Sequence, residues 1–235
     1  MDGILIAERL RSRRQKDDDP RMTVTLLPPE LAAYLDQLVP PRHHILAAME
    51  AEAAISGFPI IGPATGHLCY LLTRISGARR VFELGSGFGY STAWFARGVK
   101  DNGGGTVHHV VWDEDLSQQA RTHLRALGLA DVVQFHVGEA VTTLQNSNEE
   151  FDLVFNDIDK QDYPAALGVI TARVRPGGLL IADNLLWGGR IFDPGDQSPE
   201  TAGIREFTRL VEGDPRWISS VVPIRDGVLV AWRSG

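Results

Sequence analysis

The chain has 235 residues, of which 43% are hydrophobic, a formal charge of −7 at pH 7 and one cysteine. That length suits one α/β domain or a small pair with a substantial core. The negative charge argues against a nucleic-acid or anionic-membrane partner, the lone Cys69 excludes an intrachain disulfide and a multi-cysteine zinc site, and no stretch is apolar for long enough to span a bilayer.

Met1–Arg21 is charge-dense and has no apolar face after Leu10, which predicts a flexible leader over 1–21. Its arginines follow Ile4–Ile6 instead of preceding them, the wrong order for a secretory signal, so a cytoplasmic setting is expected. Residues 22–235 are expected to form a single domain, with N-terminal helices over 22–77 and a core over 78–235. Pro28-Pro29 introduces a helix over Glu30–Leu38, and Pro40-Pro41 breaks it. Further helices are predicted over His43–Ile55 and, after a turn at Gly62-Pro63, over Thr65–Ile75. Val81–Leu84 is the first strand of a main sheet. Gly85, Gly87 and Gly89 then remove every second side chain, and a helical pattern begins at Tyr90. Thr106–Trp112, Val132–Val137 and Phe151–Phe155 read as strands, with helices over Leu116–Leu127 and Ala165–Val174. Pro176-Gly177-Gly178 is expected to turn into a fifth strand over Leu179–Ala182. Gly203–Val211 is helical, and Trp217–Pro223 with Gly227–Trp232 reads as a closing antiparallel pair. Strands alternating with helices predict a doubly wound, mostly parallel sheet.

Ligands of such sheets sit outside the C-terminal strand ends, so the residues just after each strand are the candidates for a site. A strand, a glycine turn and a helix start make a cradle to which a ligand can come close. Glu83 sits where that strand ends. A carboxylate there suits a ligand carrying an amino group or another positive charge, and suits phosphate poorly. The Gly-x-Gly-x-Gly spacing also differs from the dinucleotide fingerprint. Asp113, about 25 residues past the turn, can accept both ribose hydroxyls of a nucleoside, and the competing role is a helix N-terminal acid. Asp157, Asp159 and Lys160 follow strand four, and Asp183 and Asn184 follow strand five. Two carboxylates and an amide at neighbouring strand ends are hard oxygen ligands for Mg²⁺ or Ca²⁺, although each pair alone also fits a turn or cap. Lys160 is a candidate base. Trp187, Phe192 and the Gly188-Gly189 loop can wall an aromatic substrate or pack on a lid. His108-His109, inside a strand, reads as structural, and His43-His44 as a solvated helix cap.

Three ordered motifs carry a family resemblance. Glu83–Ser91 (E-x-G-x-x-x-G-Y-S), Asp157–Tyr163 (D-x-D-K-x-x-Y) and Asp183–Gly189 (D-N-x-L-W-x-G) resemble the metal-dependent, S-adenosylmethionine-using catechol O-methyltransferase superfamily, nearest to the bacterial branch related to caffeoyl-CoA O-methyltransferases. Ile61–Gly66 and Val222–Gly227 resemble the family at matching positions, and the likeness runs from about Leu38 to Arg233. It implies the class I methyltransferase fold, a Rossmann-like seven-stranded sheet with a C-terminal antiparallel pair. Ile61, Glu83, Gly85, Ser86, Gly89, Tyr90, Ser91, Asp113, Ala140 and Asp157 would then hold S-adenosylmethionine. Asp157, Asp183 and Asn184 would ligate a divalent cation, Mg²⁺ first and Ca²⁺ or Mn²⁺ as alternatives. Lys160 would be the catalytic base beside Asp157, and Asp159 and Trp187 would border a small aromatic diol. A homodimer is a family expectation. Asn156, Ile158, Thr65, Gly87 and Phe88 depart from the family pattern. The alternatives are a cofactor-binding module without methyl transfer and a nicotinamide-dependent dehydrogenase.

Overall fold

The computed structural model describes residues 26–235, so the leader expected over 1–21 lies outside the described residues. Three helices come first: α1 (Pro29–Leu38), α2 (His44–Ser56) and α3 (Gly62–Ile75). The core then alternates β1 (Arg80–Leu84), α4 (Tyr90–Asp101), β2 (Thr106–Val111), α5 (Glu114–Ala126), β3 (Val133–Val137), α6 (Ala140–Asn146), β4 (Phe151–Asn156), α7 (Tyr163–Arg173) and β5 (Val174–Ala182). It closes with α8 (Pro199–Gly213), β6 (Trp217–Val222) and β7 (Val228–Arg233). Among the described residues the strands form one seven-stranded sheet in the order β3-β2-β1-β4-β5-β7-β6, parallel except where β7 pairs with β5 and β6. The order reverses between β1 and β4, which makes their C-terminal ends the switch-point crevice.

Strand alternation divides the core in two. Val81, Val107, Leu153, Phe155 and Ile181 face one side, with Met49, Cys69, Trp94 and Phe95 packed over them. Phe82, Leu84, Val110, Val154 and Leu180 face the other, under Leu144, Tyr163, Ile170 and Phe207. Burying each such side chain contributes about 1.5–3 kcal/mol. Cys69 is a buried free thiol. No helix among the described residues is long and apolar enough to cross a membrane.

Three local differences from the sequence reading have physical causes. Helix α3 starts at Gly62, because Pro63 occupies the first helical turn, where its missing N–H is no loss. The short α6 was not expected; Glu139 caps it, accepting from the N–H groups of Val141 and Thr142 at 2.9 and 2.6 Å. Strand β5 runs back through Pro176-Gly177-Gly178 to Val174, with a register shift opposite Phe151 and Leu153. A Cβ on Gly178 would lie 3.0 Å from the Asp152 carbonyl oxygen, so the bulge needs glycine there.

Helix α8 rests directly on the turn that carries Lys160. A Cβ on Gly203 would come within 2.3 Å of the Lys160 carbonyl oxygen and 2.8 Å of Gln161 Cα. Gly203→Ala is therefore expected to cost about 1–3 kcal/mol by overpacking, read as a lowered urea midpoint. An unchanged midpoint would show that α8 does not press on this turn.

Candidate active site

The crevice is built from the ends of β1, β4 and β5. After β1 the backbone takes positive φ at Gly85 (88°), Gly87 (52°) and Gly89 (93°). A Cβ at Gly85 would lie 2.6 Å from the Asp157 carbonyl oxygen, so this glycine lets the β1 and β4 ends meet. Ser86 locks the turn to β2: its N–H donates to Val110 O at 3.0 Å, and its hydroxyl accepts from Val110 N–H at 2.9 Å. Gly89 is the N-cap of α4, and Tyr90 and Ser91 form its buried first turn. The Tyr90 hydroxyl donates to Glu50 on α2 at 2.9 Å, and Arg42 pairs with the same Glu50 oxygen at 2.8 Å, which ties the N-terminal helices to the cradle.

Glu83 is fully buried. Thr92 donates to its Oε2, while Oε1 has no hydrogen-bond partner among the described residues. Burial lifts the Glu83 carboxyl to about 7, against the pull of the Ser91, Thr92 and Ser86 hydroxyls, and the negative Asp157 adds to the rise. Asp113 caps α5, accepting the Leu116 N–H on Oδ1 at 2.9 Å, so the cap role is present at the predicted ribose position. Ile61 is buried at the N-cap of α3, and Ala140 is buried at the start of α6.

At the neighbouring strand ends, Asp157 N–H donates to Leu84 O at 2.9 Å and Asp183 N–H to Asn156 O at 3.3 Å. Lys160 Nζ donates to Asp157 Oδ1 at 2.6 Å, Tyr163 OH at 2.9 Å and Ile158 O at 3.2 Å, which matches the three donors of an ammonium group. Tyr163 OH in turn reaches Asn156 O at 3.0 Å and Asp183 O at 3.1 Å, so this one phenol joins the ends of β4 and β5. Burial first, then the charges of Asp157 and Asp183, keeps Tyr163 a neutral phenol. Asp183 is almost completely buried. Its Oδ2 accepts from Arg225 at 3.2 Å and its Oδ1 has no partner among the described residues. Burial and then the nearby Asp157 push its carboxyl well above the ordinary carboxylate range. Asn184 takes the left-handed conformation (φ 64°), and its Nδ2 donates to Asp226 Oδ2 at 3.1 Å, which leaves the amide oxygen as its accepting end. Asp226 also accepts from Gly188 N–H at 2.5 Å, fixing the loop that bears Trp187. Trp187 is half-buried, with Arg190 over its ring at 5.7 Å, and Asp159 and Phe192 are exposed.

No group of three His, Cys, Asp or Glu side chains among the described residues is arranged to hold a metal. The donor set here is different: two carboxylates and an amide. An orphaned buried oxygen on Asp183 beside a second carboxylate is a repulsive arrangement that a hard divalent cation relieves, so these residues fit one.

Sequence reasoning left Thr92, Tyr163, Arg225 and Asp226 without roles. Tyr163 closes the D-x-D-K-x-x-Y motif, which was its one signal. Asp226 and Arg225 act from the β6–β7 turn, about 40 residues from their partners, where no local pattern points to them. His108 stacks on His136 with ring centroids 5.2 Å apart, and His43 caps α2, both as expected.

A mostly parallel sheet of this order, with a glycine turn after β1 and acids after β4 and β5, defines a class I methyltransferase. Solved structures agree. The chain is similar to an O-methyltransferase from Bacillus cereus in complex with S-adenosylhomocysteine (TM-score 0.79, 30% identity, covering 91% of this chain and 100% of that one). It is also similar to TomG from Streptomyces achromogenes, an O-methyltransferase involved in tomaymycin synthesis and solved with S-adenosylmethionine (TM-score 0.79, 26% identity, 88% and 96% covered). A Mycobacterium avium protein carrying an O-methyltransferase name is 32% identical over 193 residues, 80% of this chain and 85% of that protein. The family model described as O-methyltransferase matches residues 41–234. The chain belongs to the O-methyltransferase family.

Glu83 makes stability depend on pH. Its folded carboxyl titrates near 7, above its ordinary value of 4.5, so between those values the folded state binds more protons than the unfolded one. Its contribution to stability is therefore present below pH 4.5 and is lost as pH rises toward 7. Glu83→Gln is expected to flatten the fall in Tm between pH 5 and pH 8 relative to the unsubstituted protein. An equal fall in both would show that Glu83 is ionised throughout.

Proposed function

We propose that this chain transfers a methyl group from S-adenosylmethionine to one hydroxyl of a catechol-like small molecule, with a divalent cation, Mg²⁺ first, at Asp157, Asp183 and Asn184. The observation that carries the reading is Glu83: a buried carboxylate with one oxygen unpaired among the described residues, at the end of β1 just before the glycine turn at the switch point, next to the pair Asp157 and Asp183. The cationic methyl donor matches the first acid, and a hard cation matches the pair. The relatives solved with S-adenosylmethionine and S-adenosylhomocysteine support the donor assignment.

In this reading Glu83 binds the donor's ammonium group, the Gly85–Ser91 turn and helix start hold its methionine part, and Asp113 accepts from its ribose. Ile61 and Ala140 supply apolar walls for the rest of the donor. When bound, the cation lowers the pKa of a coordinated hydroxyl and fixes that oxygen's position. Transfer forms an oxygen–methyl bond and breaks the sulfur–methyl bond of the donor, which leaves as S-adenosylhomocysteine. Lys160, beside Asp157, is the base: its ammonium first gives up one of its three protons to solvent, and the neutral amine then takes the hydroxyl proton. Tyr163 and Asp157 hold the Lys160 amine in place, and Arg225 and Asp226 orient Asp183 and Asn184. Trp187, held by the Asp226-pinned loop, offers a flat apolar surface to an aromatic diol. The net charge of −7 suits a small neutral acceptor better than nucleic acid. A homodimer in the cytoplasm is part of the proposal, on the resemblance and the buried free thiol.

The test incubates the chain with S-adenosylmethionine, Mg²⁺ and a panel of catechols, and follows methylated product by mass spectrometry. Product that EDTA abolishes is expected; no product with metal, or undiminished product with EDTA, contradicts the proposal. Lys160→Met is expected to lower kcat by about 10²–10⁴-fold, the range of general-base catalysis, with donor affinity retained. Full activity in Lys160→Met would remove Lys160 from the chemistry.

A further inference from the structure

Glu83 on β1 and His109 on β2 are register partners on the sheet face that α4 covers, and Thr92 of α4 sits between their side chains. All three are fully buried. The Thr92 hydroxyl bonds to Glu83 Oε2 and lies 3.0 Å from His109 Nδ1. A hydroxyl carries one proton. If Glu83 is a carboxylate, that proton goes to Glu83, and Nδ1 must be the N–H that donates to Thr92. His109 Nε2 is then a bare lone pair. Nε2 is buried with no partner among the described residues. The reverse arrangement, with Glu83 protonated and Thr92 donating to Nδ1, would strand an N–H at that atom. A buried, unpaired N–H is the rarer and costlier of the two.

We infer that Thr92 and His109 are positioning residues of the methyl-donor site, forming a one-way hydrogen-bond chain from His109 Nδ1–H through Thr92 to Glu83. At pH 8 the chain has Glu83 as a carboxylate and leaves Oε1 as the open acceptor for the donor's ammonium group. This rests on the reading of the donor as S-adenosylmethionine. Burial, then the Arg121 charge and the neighbouring His136, pushes His109 down to about 3, so the ring stays neutral and its tautomer is the only variable. Phe135 packs against the ring at 5.2 Å, and Nε2 is buried. The imidazole thus acts as a fixed donor, and Thr92 converts its direction into a bond to the acid.

The tautomer can be read directly. Long-range proton–nitrogen correlation spectra of the ¹⁵N-labelled full chain at pH 8, with His109 assigned by comparison with His109→Asn, are expected to show a protonated Nδ1 and a bare Nε2. The same pattern is expected with S-adenosylhomocysteine bound. A protonated Nε2 in either state overturns the inference. Thr92→Val is expected to weaken calorimetric binding of S-adenosylhomocysteine about tenfold or more, the effect of losing a hydrogen bond to a charged group. It should also move His109 to the Nε2–H form and leave KM for the acceptor unchanged. Thr92→Ser is expected to restore both affinity and tautomer. Equal affinity in Thr92→Val and the unsubstituted chain overturns the inference. Absence of binding to the unsubstituted chain would instead overturn the donor assignment, and its tautomer would still decide the direction of the chain. That measurement needs no variant, so a Thr92→Val protein that does not fold leaves the test intact.

Discussion

A carboxylate sealed from water at the end of a central strand is costly unless something compensates its charge. Glu83 is such a group, and much of the crevice is arranged around it. One oxygen is held by Thr92 and the other is left without a partner among the described residues. The glycine turn that follows removes side chains that would otherwise fill the space, and α4 begins there with its N-terminal N–H groups free to meet a ligand. The cost of this buried acid is met either by protonation or by a positive group at Oε1, which is why Glu83 is the place proposed for the donor's ammonium group.

The second half of the crevice repeats this logic with different partners. Asp157 is drawn to Lys160 and Asp183 to Arg225, yet the two acids still oppose each other and one Asp183 oxygen has no partner among the described residues. Tyr163 is the rigid member: a buried phenol that joins the carbonyls at the ends of two strands to the Lys160 amine. Asp226 does the equivalent work from the β6–β7 turn, holding the Asn184 amide and the loop that bears Trp187. Both halves share a boundary at Gly85, where a side chain would strike the Asp157 backbone. The proposed donor and acceptor sites therefore adjoin at the ends of β1 and β4.

Most of this was legible in the sequence where the chemistry lies at a strand end. Glu83, Asp157, Lys160, Asp183 and Asn184 all directly end or follow apolar runs, and the switch-point rule gathers them without a structure. Asp113 illustrates an ambiguity that spacing alone leaves: the helix cap it forms and the ribose contact expected of it use the same carboxylate. Thr92 and His109 were not legible as partners of Glu83, because their meeting depends on the β1–β2 register and on the rotation of α4, which no local pattern records. Asp226 and Arg225 were hidden by sequence distance. Pro176-Gly177-Gly178 reads as a turn by composition but lies in β5, because pairing with β4 tolerates a bulge where glycine clears the Asp152 carbonyl.

The claim at the centre is that a cationic donor and a divalent ion occupy adjoining acids at one edge of the sheet. Crystals grown with S-adenosylhomocysteine and Mn²⁺, with data collected for the anomalous signal of manganese, test it most directly. The account predicts the donor's ammonium group on Glu83 and a single manganese peak shared by Asp157, Asp183 and Asn184. A structure with S-adenosylhomocysteine bound and manganese absent from those three residues, or with the ammonium group away from Glu83, would contradict it.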